Sequence, residues 1–274
     1  MNRKGSFIVH RSSFILLFAV ACAKASVPAA VPKRVVSLAP NITEIIFAIG
    51  GGGTVVGTDD FSDFPDAAKR LPRVGGVQPN LEQIAALHPD LVVANASNMH
   101  PSLVRSLGAL QIPLLVIRSE RLQDIPAAMK RIGTRLGIDP ASAVASFQRR
   151  LQLQRRQRAR SPRVLFAVWT NPLYVPGRQT FIDDLFALTG ATNAAEVNGW
   201  PQYSLESFVA HRPDLLLYPN RSVTPEAVRE LLRRTNVDVQ AVAVDENIFT
   251  RAGPRLADAA ATLNRILDQW EASR

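Results

Sequence analysis

Glu82 and Glu206 occupy the same place in a pattern that the chain carries twice. Asn80-Leu81-Glu82, an apolar turn and Pro89-Asp90-Leu91-Val92-Val93 return as Ser204-Leu205-Glu206, an apolar turn and Pro213-Asp214-Leu215-Leu216-Leu217. The copies are 124 residues apart (206 − 82). Each reads as a helix cap, a first-turn carboxylate, a short amphipathic helix, a Pro-Asp turn and a buried strand. A carboxylate there stabilises its own helix by about 0.3–1 kcal/mol, which accounts for either glutamate alone. Identical placement of both fits docking, with two surface acids engaging arginines on a two-fold symmetric partner.

A second set of residues suits an apolar ligand. Phe61 and Phe64 follow the second strand, and Trp169, with Tyr174 close behind, ends a later one. Trp200 and Tyr203 precede the second copy of the repeat, and Phe249 and Arg251 follow the last strand. Loops at the C-terminal ends of parallel strands line the crevice where ligands bind, so this set marks a cleft. A single such aromatic usually plugs a core; four sites on two facing lobes favour the cleft.

Catalysis finds no support. His88, His100 and His211 are scattered without metal-ligand spacing, and no G-x-S-x-G, P-loop or H-E-x-x-H occurs. His88 and His211 close the repeated helices, where a cation suits the helix dipole. Asp59, Asp60 and Asp63, interleaved with Phe61, Phe64 and Pro65, read as a turn beside the cleft rather than a metal loop. The expectation is no enzyme, no catalytic residues and no metal site.

The elements that position these residues alternate between strand and helix, the signature of parallel α/β sheets. Arg34 to Ala39 is a strand, Thr43 to Ile49 a helix closed by glycines, and further strands fall at Thr54 to Gly57, Asp90 to Ala94 and Pro113 to Ile117. A second block restarts at Arg163, offset by 129 residues (163 − 34) from Arg34. Between the blocks, Pro140 to about Arg160 reads as one helix of about 31 Å, a rigid strut whose far half is solvated. The predicted fold is two similar Rossmann-like α/β lobes (30–138 and 162–274) joined by a single long rigid helix (139–161), with the ligand cleft between them.

The first 25 residues stand apart. Arg3, Lys4 and Arg11 precede the apolar run Phe14 to Val20, and Ala23-Lys24-Ala25 fits a cleavage site, so 1–25 is read as a signal peptide and the protein as exported. Cys22 sits in a loose lipoprotein box that lacks its usual leucine; lipid attachment there is the alternative to simple cleavage. The lone Cys22 allows no disulfide within the mature chain. Four of the nine net positive charges lie in this leader, and most of the rest sit in the arginine run from Arg149 to Arg163. That run has no interleaved aromatics for base stacking, so it reads as a solvated helix face and not a nucleic-acid site.

Taken together, Arg34-Val35-Val36-Ser37-Leu38-Ala39-Pro40-Asn41-Ile42-Thr43-Glu44, Phe61-Ser62-Asp63-Phe64-Pro65, Asn80-Leu81-Glu82 and Pro89-Asp90-Leu91 resemble the helical-backbone (class III) substrate-binding proteins of ABC importers, which serve vitamin B12, ferric siderophores and haem. Trp200-Pro201-Gln202 to Glu206 and Phe249 to Arg255 are most similar to the members that bind vitamin B12. The resemblance covers about residues 33 to 272. It implies two α/β lobes with limited closure, a periplasmic location and a monomer that delivers a cobalamin-like corrinoid to an ABC importer permease. A ferric siderophore or haem is the alternative metal-chelate ligand, for which Arg251, Arg178 and Tyr174 are the candidate anion partners. It places Phe61, Trp200 and the Asn247 to Arg251 loop at the ligand, beside Trp169 and Tyr174, and Glu82 and Glu206 at the permease. No cofactor is implied beyond the bound ligand. The chain departs from the pattern at Gly76, where a second cleft tryptophan is usual, and in lacking a cysteine pair in the second lobe.

Overall fold

The computed structural model describes residues 30–274, the side chain of Asn98 excepted. The segment 1–25, read above as a signal peptide, and with it Cys22, lies outside the described residues. Residues 31–274 form one compact unit. In chain order its elements are β1 (Val35–Ser37), α1 (Pro40–Ala48), β2 (Val55–Thr58), α2 (Leu81–Ala86), β3 (Leu91–Asn95), α3 (Pro101–Ala109), β4 (Leu114–Ile117), α4 (Asp124–Leu136) and α5 (Ala141–Gln154). The second half follows with β5 (Arg163–Phe166), β6 (Trp169–Thr170), β7 (Leu173–Tyr174), α6 (Phe181–Leu188), β8 (Thr192–Asn193), α7 (Leu205–Ala210), β9 (Leu215–Pro219), α8 (Pro225–Thr235), β10 (Gln240–Val244), α9 (Glu246–Phe249) and α10 (Leu256–Ala272).

The two sheets have the same topology. The first is ordered β2-β1-β3-β4 and the second β8-β5-β9-β10, all parallel. Val35 pairs with Leu91 and Val164 with Leu215, so equivalent partners repeat the 129- and 124-residue offsets of the sequence. The turn chemistry repeats as well. The Asp90 carboxylate accepts from the Arg34 amide at 2.9 Å, and Asp214 accepts from the Arg163 amide at the same distance. Each Pro-Asp turn therefore pins the start of its neighbouring strand.

Strand alternation sorts the side chains onto two faces. Val36, Val92 and Ala94 join Ile84 and Leu107 in a core on the far side of the first sheet. Leu165 and Leu216 join Phe208 and Leu231 behind the second. The opposite faces share one central core: Val35, Ile45, Met129 and Ile132 from the first half are continuous with Val144 and Phe147 of α5 and with Phe166, Ile182, Leu217 and Leu263 from the second. Along α10 the buried Leu256, Ala260, Leu263, Leu267 and Trp270 form the apolar stripe that docks on this core.

The strut is shorter than its sequence predicts. α5 has 14 residues, about 21 Å, and ends six residues before Arg160. Two interactions of the arginine run end it. The Arg156 amide donates to the Leu188 carbonyl at 3.0 Å, and the Arg158 guanidinium turns inward to Asp268 (2.8 Å) and Glu271 (2.9 Å) with its side chain 4% exposed. So the run is not wholly a solvated helix face. Asp139 accepts from the Ala141 amide at 3.0 Å, with Pro140 itself at the cap position.

Candidate functional site

A cavity of about 520 Å³ opens between the lobes. Its walls come from the C-terminal ends of parallel strands in both sheets, the expected ligand position in such folds. The first lobe supplies the start of α1 (Ala39 at its cap, Pro40 and Asn41), the loop after β2 (Asp60, Phe61, Asp63), Asn95 at the end of β3 and Ser97. The second supplies Arg221 after β9, and Glu246, Asn247, Thr250 and Arg251 on and after α9.

The floor of this cleft is an ion network that crosses between the lobes. Glu44 lies on α1 with its side chain 2% exposed. It accepts from Arg251 Nη1 (3.1 Å) and from Arg255 Nε (3.0 Å) and Nη2 (2.6 Å). Arg251 continues back into the first lobe, donating to Asp63 Oδ1 (2.6 Å) and to the Phe61 carbonyl (3.1 Å), while its other contact is the Asn247 side-chain oxygen (2.7 Å). Asp63 also accepts from Asn247 Nδ2 at 3.0 Å and faces Arg221 at 3.4 Å. Asn41 adds a tie of its own, donating to Ser119 and to the Ala252 carbonyl.

Burial raises the Asp63 carboxyl, but the hydrogen bond and charge of Arg251, with Arg221 and Arg255, outweigh it and hold it below its ordinary value. Burial works against the Arg255 cation, and Glu44 overcomes it, leaving its pKa raised. Asp59 goes the other way. Burial pushes its carboxyl up despite hydrogen bonds from Ser62 and the Phe61 amide. Below Asp59, the hydroxyls of Ser37, Thr43 and Ser62 continue a buried polar chain.

The residues expected at the ligand divide into three groups. Phe61 (54% exposed), Asn247 and Arg251 meet in the cavity. The Phe61 ring lies on Gly76, where an added Cβ would come within 3.0 Å of it. Trp169 and Tyr174 are exposed cross-strand partners on the β6–β7 hairpin beyond β5, with Trp200 nearby in sequence to Gln202, which bridges to Tyr174. Trp200 rests on Phe181 at 5.4 Å between ring centres. These three do not line the cavity itself. Phe249 is a correction: it is fully buried, edge-on to Phe166 at 6.1 Å, and belongs to the central core. Tyr203 is also buried, its hydroxyl 3.3 Å from His211 Nδ1. Phe64 is covered on one face by Arg255, 4.2 Å away. Sequence reasoning missed Glu44, Asn95 and Glu246 as site residues. The i, i+4 pair Arg251 and Arg255 was the available signal for a buried acid opposite.

The cavity lining carries one more acid than cation. Asp60, Asp63 and Glu246 face two guanidiniums, Arg221 and Arg251, and both are already paired with carboxylates. Arg178, another candidate anion partner, pairs with Glu196 at 3.4 Å. Among the described residues no three metal-binding side chains converge, and no helix is long and apolar enough to cross a membrane.

Glu82 and Glu206 sit at equivalent helix starts. The Asn80 side chain caps α2 by accepting from the Gln83 amide, and Ser204 caps α7 by accepting from Ser207. Both glutamates are exposed, and neither forms a hydrogen bond or ion pair with a described residue.

Residues 35–250 match the family model described as periplasmic binding protein. A vitamin B12-binding protein from Pectobacterium carotovorum is 31% identical over 242 residues, 84% of this chain and 87% of the relative. One from Yersinia pseudotuberculosis is 28% identical across 94% of this chain and 93% of its own. Among solved structures, the periplasmic heme-binding protein RhuT from Roseiflexus sp. RS-1 superposes with a TM-score of 0.76 at 26% identity, covering 88% of this chain and 99% of that one. The vitamin B12-binding protein BtuF of Vibrio cholerae shares the fold, with a TM-score of 0.73 at 24% identity over 88% and 98%.

Proposed function

Since the chain belongs to the periplasmic binding protein family, we propose that it captures a corrinoid between its lobes in the periplasm and delivers it to the permease of an ABC importer. The carrying observation is the cleft's chemistry: three asparagines (Asn41, Asn95, Asn247), an exposed Phe61 ring and no unpaired cation. A corrinoid presents a broad apolar macrocycle rimmed by neutral amides. Phe61 offers it a face, and the asparagines offer the amide valences that their internal hydrogen bonds do not use, such as the Asn41 side-chain oxygen and the Asn95 side-chain nitrogen. The 31% identical relative named vitamin B12-binding protein supports the same reading.

Haem is the second reading, favoured by the heme-binding proteins among the structural neighbours at 26–28% identity. Its carboxylates call for cations that this cleft has already committed to Glu44 and Asp63. Binding and release need no catalytic group, and the protein acts as a monomeric carrier without metal, cofactor or nucleic acid of its own. Glu82 and Glu206 are the proposed permease contacts. The leader directs export, with lipid attachment at Cys22 as the alternative to its removal.

The test is titration of the purified exported protein with cyanocobalamin, cobinamide, haem and a ferric siderophore, followed by tryptophan fluorescence. Saturable binding of the two corrinoids is expected. Binding of haem or the siderophore alone overturns the corrinoid assignment.

A further inference from the structure

We infer that Glu44 is a positioning residue that sets the opening of the cleft by tying the ligand-facing loops of the two lobes together. The inference rests on the cavity being the ligand site. Glu44 is not among the residues lining the cavity; Asp63, Phe61, Asn247 and Arg251 line it, and Glu44 reaches them through Arg251 and, at the Asn247 carbonyl, through Arg255 as well.

The position is an expensive one for a carboxylate. Its neighbours on α1 (Ile42, Ile45, Ile46) are fully buried in the shared core, where an apolar side chain would fill space without desolvation. Glu44 instead neutralises two guanidiniums that arrive together from the other lobe, 207 and 211 residues along the chain. One of them, Arg251, returns to the first lobe and holds both the Asp63 carboxylate and the Phe61 carbonyl. The path therefore starts in the first lobe, crosses to the second and comes back, ending on the loop that carries the exposed aromatic ring. Charge balance requires the acid. With Glu44 neutral, Arg251 and Arg255 would share a mostly buried site with Asp63 as their one bonded carboxylate, Asp59 and Asp245 acting on them only without a hydrogen bond. Arg251 would then be repelled from its place between the loops.

The experiment compares Glu44→Gln with Leu216→Ala, the latter in the separate core behind the second sheet. Asp63→Asn serves as a second, more exposed lesion in the same network. Spin labels at Val77→Cys and Val209→Cys, exposed positions on opposite lobes, report the interlobe distance in a full chain carrying Cys22→Ser. Stopped-flow release of bound cyanocobalamin reports dissociation. Glu44→Gln and Asp63→Asn are expected to broaden the ligand-free distance distribution and to speed dissociation about tenfold or more. Leu216→Ala is expected to lower the melting temperature while leaving both readouts unchanged. An unchanged distribution in both network variants, or equal broadening in Leu216→Ala, overturns the positioning role. The distance measurement needs no ligand, so failure to bind any corrinoid or haem would refute the functional reading without touching this one.

Discussion

Phe61 and Phe249 offer a direct contrast, since both are phenylalanines that follow strand ends near the cleft and the structure gives them opposite roles. Phe249 is fully buried against Phe166. Truncation to alanine there removes buried contacts and leaves a cavity, at a cost of about 3–5 kcal/mol. For a domain of this size each kcal/mol moves the midpoint by about 2–4 °C, so Phe249→Ala should melt about 6–20 °C below the wild type. Phe61 is 54% exposed and rests on a glycine. Phe61→Ala should therefore shift stability by about 0.5 kcal/mol or less, which is about 2 °C at most. Its cost falls on the ligand: loss of an exposed aromatic contact weakens binding by about 1–2 kcal/mol, roughly five- to thirtyfold. Differential scanning calorimetry and ligand titration on the two variants separate the effects. A Phe249→Ala protein that melts with the wild type yet binds poorly would refute the core assignment. A Phe61→Ala protein with full affinity would refute the cleft.

Two further outcomes follow from surface and buried charge. Reversing both repeat glutamates (Glu82→Lys with Glu206→Lys) should abolish uptake in cells while leaving ligand affinity nearly unchanged, because neither side chain has a partner among the described residues; surviving uptake would leave them as helix-dipole residues only. Asp63 has a depressed pKa in the folded protein, so its contribution to stability is fully present above the ordinary carboxylate value and is lost as pH falls through the folded one. Asp63→Asn should thus be less stable than the wild type near neutrality, with the gap closing below about pH 4. A gap in denaturant unfolding that stays constant with pH would mean that Asp63 titrates alike folded and unfolded.

What the sequence made legible was local. The repeat, its caps and its Pro-Asp turns are short-range signals, and each sits in the structure where its physics puts it: Asn80 and Ser204 cap, and Asp90 and Asp214 pin strands. What it hid was long-range or directional. Arginine and glutamine are good helix formers, so the strut read as continuous to Arg160. Nothing nearby in the chain announces that Arg158 leaves the helix to meet Asp268 and Glu271 on α10. Glu44 looked like an ordinary residue of a first helix because both of its partners lie more than 200 residues away. Phe249 shows the directional limit. A loop beyond a strand end can be placed near a cleft from spacing, but Asn247 and Arg251 turn towards the cavity while Phe249 between them turns into the core. β8, at two residues, is too short to carry a periodic signal at all.

The shared core also changes how the repeat works. Two lobes connected by a helix alone could swing freely, and ligand would be trapped by closure. Here α1, α4, α5, α6 and α10 pack one continuous apolar interior beneath both sheets. Arg121 is bonded to Asp184 on one side of it, and the Glu44 network lies at the cleft. A wide swing would have to break the packing of that interior, and close-packed cores resist continuous deformation. Selection must then lie chiefly in the shape and polarity of a largely preformed cleft. This divides the labour between the repeated and unrepeated parts of the chain. The sheets and their glutamates are symmetric, which suits the proposed docking onto a two-fold partner. The loops are not: the first lobe brings Phe61 over Gly76, whereas the second brings a β6–β7 hairpin and the arginines of the network. An asymmetric ligand can be changed by altering those loops without disturbing the symmetric frame that presents it.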